Sequence, residues 1–185
     1  MPPASTANPV VDLETSLGLI RVELWPDAAP ITVKNFLTYV QEGFYDGLIF
    51  HRVVPYFIVQ AGGFQPGMGY RAPTHPTIKN EAKNGPKNRR GTIAMARAYP
   101  VDSAAAQFFI NVVDNPALDH QSDEPREYGY TVFGQVIVGM HIVEMMSTLP
   151  TETRAGHQNV PKKDILLQRA LVRTPKESGA AEPAE

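Results

Sequence analysis

Hydrophobic and polar residues alternate along much of the chain, and the period of this alternation predicts most of the secondary structure. Residues 10–26, "VVDLETSLGLIRVELWP", place apolar side chains at every second position around residues 16–18, which predicts a β-hairpin. Six more short runs are bounded by Gly, Pro, Asn or Asp and are typical of strands: "LIFHRVV", "YFIVQAG", "GTIAMARA", "QFFINVV", "YTVFGQVI" and "DILLQRALV".

Two segments have a helical period instead. From Val33, apolar side chains recur at i, i+3, i+4 and i+7, with Pro30 suited to the first turn and Gly43 to the end of a helix. A shorter helix is predicted within residues 139–150, with the apolar positions Ile142, Val143, Met145 and Met146. Many strands with few helices favour a mainly β fold, and a closed or nearly closed antiparallel barrel would leave no open edges.

Length and composition favour one globular domain with two tails. The chain has 185 residues, 43% of them hydrophobic, which is enough for one core. Residues 1–8 and 175–185 are rich in Pro, Ala, Ser and Glu, and we expect both to be disordered. The domain is therefore predicted to span residues 9–174. Within it, residues 65–90 form a polar segment rich in Pro and Gly, and long loops of this kind are often functional.

Charge and cysteine content argue against several classes of function. The formal net charge of -2, from 17 basic and 19 acidic residues, offers no basic excess for nucleic acid. The absence of cysteine excludes disulfides, thiolate nucleophiles and cysteine-bound zinc. No apolar run approaches the ~18 residues of a membrane span, so no membrane partner is expected. The start of the chain lacks the features of a signal peptide, which favours a cytoplasmic location; a periplasmic one is the alternative if a leader was removed before numbering.

Motifs for hydrolysis, metal binding and phosphate binding are absent from the sequence. There is no Gly-x-Ser-x-Gly motif, and the five histidines have no paired spacing of metal ligands. The glycines of "GGFQPGMG" do not match a phosphate-binding loop. We therefore expect neither a metal nor a cofactor.

Arg52 and Gln60 lie in an otherwise apolar run, "FHRVVPYFIVQAGGF" at residues 50–64. Because side chains alternate along a strand, Arg52, Ile58 and Gln60 would share one face if the register is kept across the intervening proline. In "QFFI", Gln107 and Phe109 likewise share a side. Two such strands near each other would form an apolar floor with three polar groups around it. The alternative is that the polar residues face solvent and the phenylalanines belong to the core.

Four segments resemble, in this order, the signature segments of the cyclophilin peptidyl-prolyl cis/trans isomerases: "FHRVVPYFIVQAGGF", "GTIAMARA", "AQFFINVVDNPALDH" and "YGYTVFGQVIVGM". The resemblance spans roughly residues 9–174, and "IKNEAKNGPKNRRGTIAMAR" and "NVVDNPALDH" look like the bacterial branch. It implies an eight-stranded antiparallel closed β-barrel capped by two α-helices, with no cofactor and no metal.

The resemblance also implies which residues form the site. Arg52 matches the arginine of the family's Phe-His-Arg, and Gln60 and Phe109 complete the implied catalytic set, with Phe109 as the floor of a proline pocket. The implied substrate-binding positions are Phe57, Ile58, Ala96, Arg97, Ala98, Gln107, Leu118 and Tyr130.

Several positions depart from the best-known eukaryotic pattern of the family. Ala117 replaces a tryptophan that contacts cyclosporin, so we expect weak cyclosporin binding. Tyr130 replaces a histidine but keeps an aromatic wall, so we expect catalysis to tolerate it. Tyr56 and Ala61 occupy positions commonly held by glycine, and Ala61 would be strained if its φ were positive.

The function implied is acceleration of rotation about X-Pro peptide bonds, which assists protein folding. The implied partners are proline-containing peptides and unfolded or folding proteins, and we expect a monomer. One alternative is a non-catalytic binding module or chaperone of the same fold. That alternative predicts loss of the arginine or of the pocket phenylalanine, and both Arg52 and Phe109 are present. Another alternative is a structural barrel without a substrate site.

Overall fold

The computed structural model describes residues 8–173, so the predicted tails lie outside the described residues, apart from Asn8. The side-chain amide of Asn8 donates a hydrogen bond to Glu23 (2.8 Å). The helices are α1 (Pro30–Gln41) and α2 (Met140–Ser147). The strands are β1 (Val10–Thr15), β2 (Gly18–Leu24), β3 (Leu48–Ile49), β4 (Arg52–Val53), β5 (Ile58–Ala61), β6 (Phe64–Gln65), β7 (Gly69–Tyr70), β8 (Thr92–Met95), β9 (Phe108–Asn111), β10 (Val132–Val138), β11 (Thr151–Arg154), β12 (His157–Pro161) and β13 (Leu166–Val172).

Nine strands form one curled antiparallel sheet in the order β3-β13-β1-β2-β10-β8-β9-β5-β4. The predicted hairpin is confirmed as β1 and β2, and β1 also pairs with β13, with Val11 opposite Val172. The two edge strands, β3 and β4, are separated in sequence only by residues 50–51. Both edges of the sheet therefore belong to one short segment of chain. With β3 and β4 taken as one interrupted strand, the architecture is the predicted eight-stranded barrel.

Helix α1 covers an aromatic core inside the barrel. Its residue Phe36 is fully buried and packs edge-on against Phe108 (ring centroids 5.5 Å apart). The Phe36 ring also lies tilted against the Phe133 ring (5.1 Å). The predicted Pro30 start is confirmed, but Ala29 offers no side-chain cap. The carboxylate of Glu81 instead accepts hydrogen bonds from the Thr32 backbone N–H (2.9 Å) and hydroxyl (2.7 Å).

Helix α2 is shorter than the segment predicted to contain it. Three of its four predicted apolar positions, Ile142, Val143 and Met146, are buried. The fourth apolar position, Met145, is 43% exposed. In a helix of eight residues only one narrow face meets the barrel, and Met145 lies outside that face.

Two small hairpins lie outside the main sheet and were not predicted. Strands β6 and β7 pair at the start of the long polar segment of residues 65–90, and β11 pairs with β12 near the C-terminal end of the domain. Residues 65–90 also contain short 3₁₀ turns at Pro66–Met68 and Ala82–Asn84. This segment is therefore not a structureless loop.

The two positions commonly held by glycine differ in backbone conformation. Tyr56 has a positive φ of 56° and an 81% exposed side chain. Ala61 is fully buried within β5 and is not among the described non-glycine residues with positive φ. Left-handed strain therefore falls on Tyr56, and Ala61 has none.

Candidate active site

The register of four neighbouring ladders places the predicted site residues in one row across the barrel wall. Arg52 on β4 lies opposite Gln60 on β5, and Gln60 lies opposite Phe109 on β9. The row continues from Phe109 to Ala94 on β8 and from Ala94 to Val132 on β10. Residues that are 57 positions apart in sequence, Arg52 and Phe109, are thereby brought two strands apart in space.

Neighbouring phenylalanines of β9 point to opposite faces of the sheet. Phe108 joins the core inside the barrel, whereas Phe109 joins a separate outer cluster with Ile58, Ala94 and Val132. Phe109 and Ile58 are each only 3% exposed, so this outer cluster is a second, well-packed apolar floor. The alternation predicted from the sequence is confirmed. The alternative, in which both phenylalanines belong to the core, is wrong for Phe109, which is not part of the core inside the barrel.

An open pocket of about 240 Å³ lies above this outer floor. Nine residues line it, and all of them belong to the set implied by the resemblance: Arg52, Phe57, Ile58, Gln60, Ala96, Arg97, Phe109, Leu118 and Tyr130. The pocket is apolar at its base and has a guanidinium and an amide at its rim. Its size and chemistry suit a small apolar ring attached to a polar backbone.

Three polar side chains form a ridge along one side of the pocket. The Arg52 guanidinium donates a long hydrogen bond to Gln60 Oε1 (3.4 Å), and the Gln60 amide donates to Gln107 Oε1 (3.0 Å). The guanidinium carbon lies 5.9 Å from the ring centre of Phe57. Within residues 8–173, no carboxylate forms an ion pair with Arg52. Most of its donors are therefore available to a bound molecule.

The glycines after Gln60 allow Gln107 to lie against the barrel. A Cβ on Gly63 would come within 2.5 Å of Gln107 Nε2, so a larger residue there would displace this amide. Gly62 has a φ of +95°, a conformation that other residues rarely adopt. The Gly-Gly pair thus fixes one end of the polar ridge.

Two predicted residues lie beside the pocket and not in it. Ala98 and Gln107 line a neighbouring hollow of about 290 Å³, which shares Gln60, Ala96 and Arg97 with the pocket. Both hollows open along the same surface, so together they form a groove. An extended peptide could occupy that groove on both sides of Gln60.

Residues 10–172 match the family model described as "Cyclophilin type peptidyl-prolyl cis-trans isomerase/CLD". The chain belongs to this family. The resemblance found in the sequence is confirmed, and the chain is a cyclophilin-type peptidyl-prolyl cis-trans isomerase.

Several bacterial proteins are about 50% identical to this chain. The chain is 50% identical over 169 residues to peptidyl-prolyl cis-trans isomerase A of Dickeya dadantii, covering 91% of this chain and 87% of that protein. It is 48% identical over 163 residues to peptidyl-prolyl cis-trans isomerase B of Escherichia coli, covering 88% and 99%. These names support isomerase activity and do not favour the non-catalytic alternative.

Solved structures of a cyclophilin-type isomerase from Cryptosporidium parvum have the same fold. One has a TM-score of 0.71 at 23% identity and covers 90% of this chain and 98% of that chain. The other, determined in the presence of the dipeptide Ala-Pro, has a TM-score of 0.73 at 25% identity and covers 89% and 99%.

Tyr130, the replacement for a histidine in this cyclophilin, forms one pocket wall. Its ring packs edge-on against Phe109, with centroids 5.6 Å apart, and the Arg97 guanidinium carbon lies over the ring, 5.0 Å from its centre. Arg97 in turn donates to the carbonyls of Gly129 (2.9 Å) and Pro125 (2.7 Å). Arg97 therefore holds the wall in place and does not need to contact the reacting bond.

A network of buried asparagines behind the cyclophilin pocket was not predicted. The Asn115 amide donates to the carbonyl of Phe57 (3.1 Å) and to Asn111 Oδ1 (2.8 Å). Asn111 donates to Asn88 Oδ1 (3.2 Å), and Asn88 donates to the carbonyl of Leu118 (3.0 Å). The network thus joins two pocket walls, Phe57 and Leu118, which are 61 positions apart in sequence.

His51 lies next to the catalytic candidate but is buried. It is 4% exposed, its Nδ1 atom has no partner among the described residues, and its ring lies 4.5 Å from Phe64. Burial, with smaller effects from His157 and Arg52, lowers the pKa of His51 to about 4. The ring is therefore neutral at pH 7.

Neither a metal cluster nor a membrane-spanning helix is found within residues 8–173. No group of three His, Cys, Asp or Glu side chains there could hold a metal ion. No helix in the same part of the chain is long and apolar enough to cross a bilayer.

Proposed function

We propose that Arg52 is the catalytic residue and stabilises the twisted state of an X-Pro bond. Rotation about this bond costs ~18–20 kcal/mol because the amide loses resonance. In the twisted state the prolyl nitrogen regains a lone pair and becomes a hydrogen-bond acceptor. A guanidinium donor at that nitrogen binds the transition state better than the planar ground state.

The strength of such a hydrogen bond sets the size of this contribution. A hydrogen bond to a charged group contributes ~1.5–3 kcal/mol. Each tenfold in rate needs ~1.4 kcal/mol, so Arg52 would supply roughly one to two orders of magnitude. The remaining acceleration must come from the rest of the site.

The apolar pocket supplies orientation and a low-dielectric environment. Phe57, Ile58, Leu118 and the floor residue Phe109 would hold the proline ring, so that only the preceding group turns. Water is excluded from the apolar base, which strengthens hydrogen bonds at the rim. Gln60 would orient Arg52 and hold a substrate carbonyl, with Gln107 further along the groove.

The single observation that carries the proposal is the position of Arg52. Its guanidinium has no carboxylate partner among the described residues and lies at the rim of an apolar pocket of about 240 Å³. A guanidinium without a carboxylate partner, beside a pocket for a small ring, supports transition-state donation at a prolyl nitrogen.

Peptide exchange measured by NMR tests the proposal. Wild-type protein should accelerate cis-trans exchange of a short Ala-Pro peptide, and Arg52→Ala should lose most of that acceleration. Arg52→Lys keeps the positive charge but lacks the forked donors of the guanidinium, so its acceleration should lie between those of wild type and Arg52→Ala. Arg169→Ala, at an exposed arginine of β13, is the matched control and should keep full activity. Full activity in Arg52→Ala would contradict the proposal.

We also propose that the substrates include unfolded or folding proteins, that the chain acts as a monomer and that it works in the cytoplasm. Refolding of a protein limited by proline isomerisation should speed up with wild type and not with Arg52→Ala. Light scattering would test the oligomeric state, and cell fractionation would separate the cytoplasm from the periplasm.

A further inference from the structure

A second pocket adjoins the proline pocket on the other side of Arg52. It has a volume of about 430 Å³ and lies between the barrel and the β11–β12 hairpin, and we call it the hairpin pocket. Arg52 and Gln60 line both pockets. The other polar side chains of the hairpin pocket are His51, Gln107, His157, Gln158 and Asn159. A peptide bound at the proline pocket would therefore pass its entrance.

The hairpin pocket is rich in hydrogen-bond donors and has no acidic lining residue. The guanidinium, the imidazole and the amides can all donate to a bound acceptor. The acidic residues nearest in sequence, Glu152 and Asp164, accept hydrogen bonds from Arg154 at 2.9 and 2.7 Å. Arg154 offsets one of these two negative charges and holds both carboxylates away from the pocket lining, where Arg52 is the fixed charge.

Ring packing holds the hairpin against the barrel. The His157 ring lies 4.8 Å from the Phe64 ring, and Phe64 in turn contacts the neutral ring of His51 at 4.5 Å. Asn159 has a positive φ of 59° inside β12, and the β11–β12 register shifts between Glu152 and Arg154. Irregular backbone of this kind re-aims side chains near functional sites.

We propose that the hairpin pocket binds the side-chain carboxylate of an Asp or Glu residue close to the substrate proline. The inference rests on the isomerase function and adds a preference for one class of substrate. A carboxylate accepts from several donors at once, and it interacts favourably with a guanidinium. A lysine side chain in the same place would meet Arg52 without a compensating acidic group, and it is disfavoured.

A set of paired peptides tests this preference. Each peptide carries Glu or Gln at one of the two positions before or the two positions after an X-Pro bond, with an amidated C-terminus so that no terminal carboxylate competes. NMR exchange gives kcat/KM for each pair. At one position or more, Glu should be favoured about three- to tenfold over Gln, since the pocket is partly open to solvent. The preference should weaken at high salt.

Variants of the hairpin distinguish pocket binding from a general charge effect. His157→Phe keeps a ring against Phe64 but removes the donors, and it should reduce the Glu/Gln ratio. Gln158→Glu introduces a negative charge and should reverse the preference. His141→Phe, at an exposed histidine of α2, is the control and should leave the ratio unchanged.

Two results overturn the inference. One is an equal rate for Glu and Gln peptides at all four positions, and the other is a Glu preference that His157→Phe and Gln158→Glu leave intact. In both cases a neutral Ala-Pro peptide still reports on the isomerase function, because its acceleration does not depend on a carboxylate. If wild-type protein did not accelerate exchange of that neutral peptide, the result would instead contradict the proposed function of the proline pocket.

Discussion

His51 makes the stability of this protein sensitive to mild acid. Its pKa is lowered to about 4 in the folded state, mainly by burial, whereas an exposed histidine titrates near ~6.5. Between these two values the unfolded chain binds a proton at this position that the folded chain does not. The stabilising effect of the neutral ring is therefore complete above pH ~6.5 and is lost as the pH falls toward 4.

We predict a loss of roughly 3 kcal/mol from this residue alone between neutral pH and pH 4. His51→Phe keeps a ring against Phe64 and removes the titration, so its free energy of unfolding should fall less steeply with acid than that of wild type. His141→Phe, at an exposed site, should follow the wild-type slope. Urea unfolding at several pH values measures the three slopes, and parallel slopes for wild type and His51→Phe would contradict the prediction.

Ala117 is expected to weaken the binding of cyclosporin. It is exposed in the Pro116–Leu118 turn, directly before the pocket residue Leu118. The family's tryptophan contact is missing there, so we predict weak binding of cyclosporin to wild type and tighter binding to Ala117→Trp. Ala117→Leu, which adds apolar volume without the indole, is the control. Calorimetric titration measures all three affinities, and no gain in Ala117→Trp would count against this account.

Individual site residues differ in how far the sequence could predict them. Arg52 and Gln60 interrupt an apolar run, and period two places them on one face. A pattern within fifteen residues is therefore sufficient to predict that they lie together, and the family resemblance adds the role implied for each. Asn88, Asn111 and Asn115 carry no such local signal, because each looks like an ordinary turn or strand-end residue. Their role arises only when β9 and two loops meet behind the pocket, a contact that no local period encodes.

Two neighbouring residues of β9 have different roles: Phe108 packs in the core, and Phe109 forms the base of the proline pocket. Phe108 is fully buried in the core, and Phe109 is 3% exposed at the base of an open pocket. Truncating a core phenylalanine costs about 3–5 kcal/mol because a cavity remains. Water can enter the space left at Phe109, so that truncation should cost less stability.

We predict opposite profiles for the two truncations. Phe108→Ala should lower the free energy of unfolding by about 3–5 kcal/mol and leave kcat/KM of the folded fraction less affected. Phe109→Ala should be more stable than Phe108→Ala, yet lose roughly tenfold to hundredfold in kcat/KM, because the proline ring is no longer held. Denaturant unfolding and peptide exchange on both variants provide the comparison. Equal effects of the two variants on both measurements would argue against the division of tasks.

Helix α1 depends on a residue far away in sequence for its N-terminus. The carboxylate of Glu81 accepts from the backbone N–H groups of Ile31 (3.2 Å) and Thr32 (2.9 Å). Glu81→Ala should therefore lower the free energy of unfolding by about 1–2 kcal/mol. Glu42→Ala removes an exposed carboxylate at the other end of the helix and should change it by less than about 0.5 kcal/mol. Similar losses for both variants would show that capping is not the cause.

The sequence predicts α1 well, but it predicts neither the cap of this helix nor the two small hairpins. Only α1 has a local pattern of apolar residues that can be recognised in the sequence. The 3.6-residue period from Val33 is local, so the helix can be read directly. Glu81 meets Thr32 across 49 positions. Strands β6, β7, β11 and β12 are short and mostly polar, and partly exposed strands of two to five residues have too few apolar positions to show a period.

At the scale of the whole molecule, the number of predicted strands and the need to avoid open edges are sufficient to predict a barrel. They do not predict where along the chain the barrel closes. Closure falls at residues 50–51, between β3 and β4, and the next residue is Arg52. Sheet order depends on pairings across the full length of the chain, such as Val11 with Val172. No period within a short window contains that information.

The pairing of β1 with β13 makes the protein suited to circular permutation. The Arg173 backbone N–H donates to the Val10 carbonyl (2.8 Å), so the ends of the domain are neighbours. All residues that line the proline pocket lie within residues 52–130. A permuted chain that links residue 173 to residue 8 through a short glycine-rich connector, and opens at the exposed turn residue Leu17, should fold and isomerise Ala-Pro peptides like the parent. Opening the chain between β4 and β5 would instead separate Arg52 from Gln60 and should abolish activity.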